Sequence, residues 1–359
     1  MKKKTQKILM KGNEVLAEAA IQAECLFYAG YPITPQNEIP EYLSWRMPET
    51  GGIFIQAESE LSAINMVFGA SATGTRAMTS SSSPGISLKQ EGISYLAGAE
   101  LPAVIANIQR GGPGLGNISG SQADYFQTVK GGGHGDYRML AYAPWDLQEM
   151  WNLTMLAFDK ADEYRNPVII LSDGILGQMM EPLFKTPYKR PKLPSKDWAL
   201  TGCEGREPNV IKSLWMAEGK LEEMNWKLKE KYDRMKKKEV MSDSLNIEDA
   251  ETVVVAYGIA ARIASSAVRA LRRKGYKVGL FRPVTIFPFP EKEISQLCNV
   301  KSLRTRPGRR FLTIEMNTGQ MVEDVRLAVN GKAKVDFYGR PGGGMMTPEE
   351  LYEVILKTF

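Results

Sequence analysis

The chain has little cysteine, a single histidine and no long apolar run. Its three cysteines, Cys25, Cys203 and Cys298, are spread widely over 359 residues. An odd, scattered set argues against a disulfide framework. No Cys-x-x-Cys pair is present to hold an iron–sulfur cluster. Cys25 falls on an apolar stretch and reads as a core residue. His134 alone cannot build a multi-histidine metal site. No apolar run approaches the roughly 20 residues needed to span a bilayer. The start, Met1-Lys2-Lys3-Lys4-Thr5, is followed by no apolar stretch, so the expectation is a cytoplasmic chain without a signal peptide. The net charge of +5 is mild, and the basic residues form no stripe interleaved with aromatics, which leaves little signal for nucleic acid.

What is present is ordinary for a globular protein: 43% hydrophobic and 24% charged residues, in a length that suits two or three domains. Residues 1–185 alternate short apolar runs with longer helical patterns. Expected strands are Gly52–Ile55, Arg76–Thr79, Ala103–Asn107, Met139–Ala143 and Pro167–Leu171. Expected helices include Ser59–Ala72, Ile86–Gly98 and Leu147–Glu163, with a further apolar helical pattern over Val15–Tyr28. This alternation predicts an α/β fold with a doubly wound, mostly parallel sheet, whose ligand crevice lies beyond the carboxyl ends of the strands. Residues 186–249 read as a Pro/Lys-rich linker and a charged helical arm, a solvated helix or an arm against a partner. From residue 250 to 359 the alternation resumes as a smaller α/β domain.

Several loops carry candidate chemistry. Gly30-Tyr31-Pro32-Ile33-Thr34-Pro35 has two prolines that exclude helix and hold up the Thr34 hydroxyl; it reads as a surface turn or a rigid ligand contact. Glu58 and Glu60 stand where a strand meets a helix. There a carboxylate serves as a cap or, partly desolvated, as a group fit for proton exchange. Thr79-Ser80-Ser81-Ser82-Ser83-Pro84-Gly85 is a hydroxyl-rich loop entering a helix, with amides able to meet an anion or a ring. Arg110 ends the strand that begins after Leu101-Pro102 and offers a planar fork to a carboxylate, or makes a plain ion pair. Gly111-Gly112-Pro113-Gly114-Leu115-Gly116 is neither a Gly-x-Gly-x-x-Gly turn, since Asn117 stands at the last glycine, nor a Walker loop.

Taken in order, Tyr-Pro-Ile-Thr-Pro at 31–35, Glu60 followed nine residues on by Gly69-Ala70, Ser83-Pro84-Gly85, Leu101-Pro102 leading to Gln109-Arg110, and Gly133-His134-Gly135 resemble the 2-oxoacid:ferredoxin oxidoreductases. These are thiamine-diphosphate enzymes that oxidatively decarboxylate 2-oxoacids to acyl-CoA. The resemblance covers nearly the whole chain outside the linker and arm. It implies a pyrimidine-binding domain followed by a transketolase C-terminal-like domain, the latter marked by Arg282-Pro283-Val284-Thr285-Ile286-Phe287-Pro288. In the family a glutamate hydrogen-bonds N1′ of the cofactor's aminopyrimidine and promotes removal of the proton from its C2. The spacing to Gly-Ala points to Glu60, with Glu58 as the alternate. Ser83 stands where the family has glycine, and with Gly85 belongs to the cofactor-binding segment. Arg110 and Thr34 are the implied binders of the substrate carboxylate. Ser121-Gln122-Ala123-Asp124 and Gly131 to Asp136 continue the match and place Gln122, Asp124 and His134 toward the cleft, His134 as a proton carrier.

The chain lacks the Gly-Asp-Gly motif and following asparagine that hold Mg²⁺ and the diphosphate; Ser172-Asp173-Gly174 is the nearest approach. The resemblance therefore implies an alpha-type subunit, inactive alone, in a hetero-oligomer. A beta-type subunit would carry Mg²⁺ and the diphosphate, with thiamine diphosphate shared at the interface. A gamma-type and a ferredoxin-like subunit would complete it, with iron–sulfur clusters on the partners and CoA as co-substrate. Gln122-Ala123-Asp124-Tyr125 and the Gly-Gly-Gly-His-Gly-Asp-Tyr segment look most like the 2-oxoisovalerate branch. A 2-oxoglutarate enzyme is the runner-up, and a non-catalytic scaffold or a nucleotide-binding protein stands as the reading of a different class.

Overall fold

The computed structural model describes residues 7–298 and 309–359. The Met1–Thr5 start, on which the absence of a signal peptide rests, lies outside them. The first domain runs β1 (Lys7–Lys11), α1 (Gly12–Gln22), β2 (Phe27–Gly30), α2 (Glu38–Glu49), β3 (Ile53–Gln56), α3 (Glu60–Ala72), β4 (Ala77–Ser81), α4 (Ser83–Gly98), β5 (Ala103–Gln109), α5 (Tyr125–Val129), β6 (Leu140–Tyr142), α6 (Leu147–Tyr164), β7 (Pro167–Asp173), α7 (Gly174–Gln178) and β8 (Met180–Phe184). The connection continues through α8 (Lys220–Lys238). The second domain holds β9 (Ser242–Leu245), β10 (Thr252–Val255), α9 (Gly258–Arg273), β11 (Val278–Pro283), β12 (Thr285–Phe287), α10 (Glu291–Leu297), β13 (Arg310–Glu315), α11 (Met321–Val329), β14 (Lys334–Gly339) and α12 (Pro348–Leu356).

The main sheet has the order β12-β6-β7-β5-β4-β2-β3. It is parallel throughout except for β12, which pairs antiparallel with β6. β4, β5 and β7 are buried along their whole lengths, as expected where helices cover both faces. The second sheet, β14-β13-β10-β11-β9, is parallel except at its edge strand β9. The mostly parallel, doubly wound architecture with a second, smaller α/β domain is thus as the alternation predicts. Among the described residues, no helix is long and apolar enough to cross a membrane.

Four local expectations change. The apolar pattern over Val15–Tyr28 is not one helix: α1 ends at Gln22, Glu24 turns left-handed, and β2 begins at Phe27. Both halves are buried, and a buried helix and a buried strand look alike in apolar pattern. Met180–Phe184, at the end of the first domain and not among the expected strands, is a strand paired antiparallel with β1. Within the 186–249 span, Ser242–Leu245 joins the second sheet against β11. The charged helix α8 is no free arm. It buries Leu228, Lys231, Tyr232 and Met235, and Lys231 reaches Glu100 Oε1 at 3.3 Å and the Arg165 carbonyl at 3.1 Å.

Cys25 is in the core, where burial pushes its thiol up to about 12. α3 is apolar yet only half covered: Ala63, Ile64 and Val67 face inward, while Leu61, Asn65 and Gly69 lie at the surface.

Candidate active site

β2, β3, β4 and β5 run side by side and end together, so the loops that follow them meet at one edge of the main sheet. The turn after β2 carries Thr34. Its Pro35 carbonyl accepts hydrogen bonds from Asn13 Nδ2 at 2.8 Å and Gln178 Nε2 at 2.9 Å, and both amides also bond the Glu38 carboxylate. Gln36 is buried and accepts from Ser80 Oγ at 2.6 Å, which ties the turn to β4. Thr34 itself is exposed, and its Oγ1 accepts from Asn37 Nδ2 at 3.5 Å.

The turn after β3 separates the two glutamates. Ser59 caps α3, accepting from the Ser62 N–H at 3.2 Å. Glu58 is exposed and accepts from Ser62 Oγ, which holds its carboxyl below the usual range. Glu60 begins the helix on its inner face and is 6% exposed. Among the described residues nothing donates a hydrogen bond to its carboxylate. A largely buried side chain whose carboxylate meets no protein donor is free to accept one from a ligand.

The segment after β4 lies against it. Ser83, Pro84 and Gly85 form the first turn of α4. A Cβ on Gly85 would stand 2.6 Å from Glu60 Oε1 and 2.0 Å from Ser81 Oγ, so any larger residue would push both side chains aside. The hydroxyls of Ser81 and Ser82 are buried with no partner. Ser83 faces the other way: its Oγ donates to Asp124 Oδ2 at 2.6 Å and accepts from the Arg110 N–H at 3.0 Å. Asn107 Nδ2 bonds the same Asp124 oxygen at 2.8 Å, and Gln109 Oε1 accepts from the Asp124 N–H at 3.0 Å. Burial raises the Asp124 carboxyl, and the donors from Ser83 and Asn107 partly oppose it.

Arg110 lies at the end of β5 and is 6% exposed. Its Nη1 donates to the Thr34 carbonyl at 3.0 Å and its Nη2 to the Leu115 carbonyl at 2.9 Å. Its Nε is buried with no partner. No carboxylate among the described residues pairs with it. An almost buried guanidinium held only by neutral carbonyls is electrostatically incomplete, and a bound anion would complete it. The glycine-rich loop that follows is compact. Gly116 has φ +63°, and a Cβ there would lie 1.7 Å from the Gly111 carbonyl oxygen. Leu115 and Ile118 are 80% and 64% exposed on this loop.

The structure therefore brings Thr34, Glu60, Gly85 and Arg110 to one edge, with Ser83 and Asp124 beneath as a hydrogen-bonded brace. It places Gln122 elsewhere. Its side chain is buried between the domains: Nε2 donates to the Tyr257 carbonyl at 2.9 Å and Oε1 accepts from the Met316 N–H at 3.0 Å. Its own N–H donates to the Met316 carbonyl at 3.1 Å. With every amide atom used, Gln122 is a joint to the second domain and not a free cofactor ligand. His134 also lies apart. Its carbonyl accepts from Ser94 Oγ at 2.5 Å. Ser94 is eleven residues along α4 from Ser83, roughly 16 Å at the helical rise. Its side chain is exposed. Asp173 spends its carboxylate capping α7 at 2.8 Å from the Ile175 N–H and 3.2 Å from that of Leu176.

Sequence reasoning missed Lys89, which is fully buried behind Gly85, and Glu315, which is buried and caps α11 through the N–H groups of Met321 and Val322. Glu315 gave a signal, a charged residue ending the run Phe311-Leu312-Thr313-Ile314; Lys89, followed by Gln90-Glu91, gave none.

The fold and this edge define an α/β protein of the thiamine-diphosphate class. An aminopyrimidine fits here: the unpaired Glu60 carboxylate, the close approach at Gly85 and the orphan Ser81 and Ser82 hydroxyls form an acceptor and a cradle for a flat polar ring. Comparison with known proteins agrees. Residues 18–241 match the thiamine-diphosphate-binding domain of pyruvate flavodoxin/ferredoxin oxidoreductases, and residues 250–351 match core domain II of pyruvate:ferredoxin oxidoreductase. The chain is 49% identical to the ketoisovalerate oxidoreductase subunit VorB of Methanothermobacter thermautotrophicus, covering 97% of this chain and 96% of that one. It is 36% identical to the 2-oxoglutarate synthase subunit KorA of Methanocaldococcus jannaschii, covering 97% and 98%. The 2-oxoglutarate:ferredoxin oxidoreductase of Magnetococcus marinus shares the fold, with TM-score 0.86 at 24% identity over 98% of this chain and 65% of that one. A split-gene transketolase shares it more distantly, with TM-score 0.56 at 14% identity over 97% of each chain. The chain belongs to the thiamine-diphosphate-dependent 2-oxoacid:ferredoxin oxidoreductase subunits.

Proposed function

We propose that this chain is the alpha-type, pyrimidine-side subunit of a CoA-acylating oxidoreductase that converts 2-oxoisovalerate, a branched-chain 2-oxoacid, to acyl-CoA and CO₂. Its partners are a beta-type subunit that holds Mg²⁺ and the diphosphate, a gamma-type subunit and a ferredoxin-like subunit. Iron–sulfur clusters on the partners receive the electrons, and the chain is inactive without them.

The observation that carries this reading is the pairing, at one sheet edge, of a buried carboxylate without donors and a buried guanidinium without a counter-ion. Bound thiamine diphosphate supplies the carbanion chemistry that releases CO₂ from a 2-oxoacid. Glu60 accepts the hydrogen bond of the aminopyrimidine N1′ and holds or returns a proton there. Gly85 lets the ring approach, and Ser81 and Ser82 offer it hydroxyls. Arg110 binds the substrate carboxylate, held at its angle by the Thr34 and Leu115 carbonyls, while the Thr34 hydroxyl shares that contact. Ser83, Asn107 and Asp124 brace the turn. The exposed Leu115 and Ile118 beside Arg110 suit an apolar substrate side chain, and the higher identity to the ketoisovalerate subunit supports the same choice. The apolar outer face of α3 and α4, with Leu61, Leu88 and Tyr95 at the surface, supports completion of the site by a partner.

The test is CoA-dependent reduction of ferredoxin or a viologen by the co-purified complex, with 2-oxoisovalerate, 2-oxoglutarate and pyruvate, in wild type and Glu60→Gln. Loss of turnover in an intact Glu60→Gln complex, with 2-oxoisovalerate preferred in wild type, is the expected result. Unchanged turnover moves the role to Glu58, and inactivity of the wild type toward every 2-oxoacid returns the scaffold reading.

A further inference from the structure

The glycine-rich loop after β5 is held from the second domain. Arg110 pairs with Gly120, and the Gly111 N–H donates to the Ser119 carbonyl at 2.9 Å, so residues 110–120 form a small hairpin. Within it the Asn117 N–H donates to the Gly111 carbonyl at 2.9 Å, and Asn117 Oδ1 accepts from the Ser119 N–H at 3.0 Å. Asn117 Nδ2 reaches outside the hairpin and donates to the Gly342 carbonyl at 2.8 Å. Among the described residues this is the one hydrogen bond that residues 111–119 make to the second domain. The packing around it is close. A Cβ on Gly343 would stand 2.5 Å from Ser119 Cβ, and one on Gly111 would stand 2.6 Å from Asn117 Oδ1. The 340–344 loop is itself anchored. The Arg340 N–H donates to the Glu315 carbonyl at 3.1 Å, at the end of β13, and Arg340 Nη1 donates to Glu350 Oε1 on α12 at 2.6 Å.

The hairpin matters because Arg110 is aimed by it. The Leu115 carbonyl that accepts from Arg110 Nη2 and the Asn117 N–H belong to successive peptide units, joined at Gly116. A shift of Asn117 therefore moves one of the two carbonyls that hold the guanidinium. The rest of the tip is open: residues 113–119 are exposed, and Gly112, Gly114 and Gly116 leave the backbone free to move. An asparagine that served only the turn would need its Oδ1 alone, as in an ordinary Asx turn; the Nδ2 bond to another domain adds nothing to that turn. We propose that Asn117 is a positioning residue, through which the second domain pins the hairpin and presets Arg110 for the substrate carboxylate. This rests on the reading of Arg110 as the group that binds that carboxylate. With the pin in place the anion meets a guanidinium already at its angle. Without it the substrate must order the hairpin as it binds, and affinity falls by the fraction of time the hairpin is in place. The effect falls on binding and not on the chemical step.

The experiment approaches the contact from both domains. Asn117→Ala removes the donor, and Gly343→Ala pushes the 340–344 loop off Ser119 without altering any group of the first domain. Steady-state kinetics of the assembled complex compare wild type, both single variants, the double variant and Arg110→Met. Each single variant is expected to raise the KM for the 2-oxoacid about fivefold, the equivalent of one net hydrogen bond, with kcat within about twofold and the KM for CoA unchanged. The double variant is expected to be no worse than the worse single one, because both break the same contact. In the full chain, backbone amide exchange across residues 111–119 is expected to speed up about fivefold in Gly343→Ala, which gives a readout apart from activity. A KM for the 2-oxoacid that stays at the wild-type value in both single variants, while Arg110→Met raises it, overturns the proposal and leaves the Arg110 reading intact. A fall in kcat with KM unchanged, or fully additive effects in the double variant, also overturns it. An unchanged KM in Arg110→Met overturns the Arg110 reading, and the proposal with it.

Discussion

Gly85 presses on Glu60 so closely that a single added carbon would stand 2.6 Å from the carboxylate oxygen. The contact joins the first turns of α3 and α4, the two helices that follow neighbouring strands. It holds the carboxylate at the sheet edge without giving it a hydrogen bond. Gly85→Ala is therefore expected to turn the Glu60 side chain away and lower turnover at least tenfold. The flexible side chains can yield, and alanine favours helix by up to about 1 kcal/mol, so the chain is expected to lose less than about 2 kcal/mol of stability. Turnover of the assembled complex, set beside urea denaturation of the chain, separates the two effects.

Gln122→Ala tests the joint between the domains. It leaves the Met316 N–H without its acceptor and the Tyr257 carbonyl without this donor, both in a buried place. The expected cost is about 2 kcal/mol, that of one unsatisfied Met316 N–H, since the Tyr257 carbonyl still accepts from the Ala261 N–H. Urea denaturation measures it. If Gln122 served the cofactor alone, stability would stay at the wild-type value and only cofactor affinity would fall.

Arg110→Met removes a buried cation that has no counter-ion. The KM for the 2-oxoacid is expected to rise on the order of 100-fold, equivalent to the roughly 3 kcal/mol of a strong charge-assisted contact. Stability is expected to change by less than about 1 kcal/mol, because relief of the lone charge offsets the two lost carbonyl bonds. Steady-state kinetics and a thermal melt check the pair of outcomes.

Asp173 gives a pH signature. Burial raises its carboxyl to about 7, against the pull of two backbone donors. The folded chain therefore holds a proton there that the unfolded chain has already released above about pH 4. Stability from this group is full below that pH and is lost as the pH rises through about 7. Asp173→Asn keeps an acceptor for the α7 cap and cannot ionise. The variant is expected to gain on wild type as the pH rises from 4 to 7, and to show no further gain above about 8. Denaturation midpoints across this range decide it.

Much of the site was legible because short segments carried it. Two prolines around Thr34, a glutamate nine residues before Gly69-Ala70 and an arginine ending an apolar strand are local patterns, and local patterns survive in a linear sequence. The strands β4, β5 and β7 were legible for the same reason, as apolar runs between turn signals. β2 was not, because it follows a buried helix with no glycine or proline between them. β9 and β12 were not, because a short edge strand is defined by its partner. β12 in particular leaves its own domain to pair with β6.

The sequence by itself determined the α/β alternation, the absence of a metal-ligand histidine set and the residue types at the strand ends, since these depend on composition and spacing alone. Only the tertiary structure decided their uses. Glu60 rather than Glu58 is buried because the helical turn rotates it toward Gly85. Gln122, three positions after the equally polar Ser119, is drawn into the domain joint by Met316 and Tyr257, which are 194 and 135 residues away. Lys89 lies behind the site because a lysine on the inner face of a buried helix has nowhere else to put its amino group. Each outcome follows from burial, which is a property of neighbours distant in the chain and cannot be read from the residues on either side.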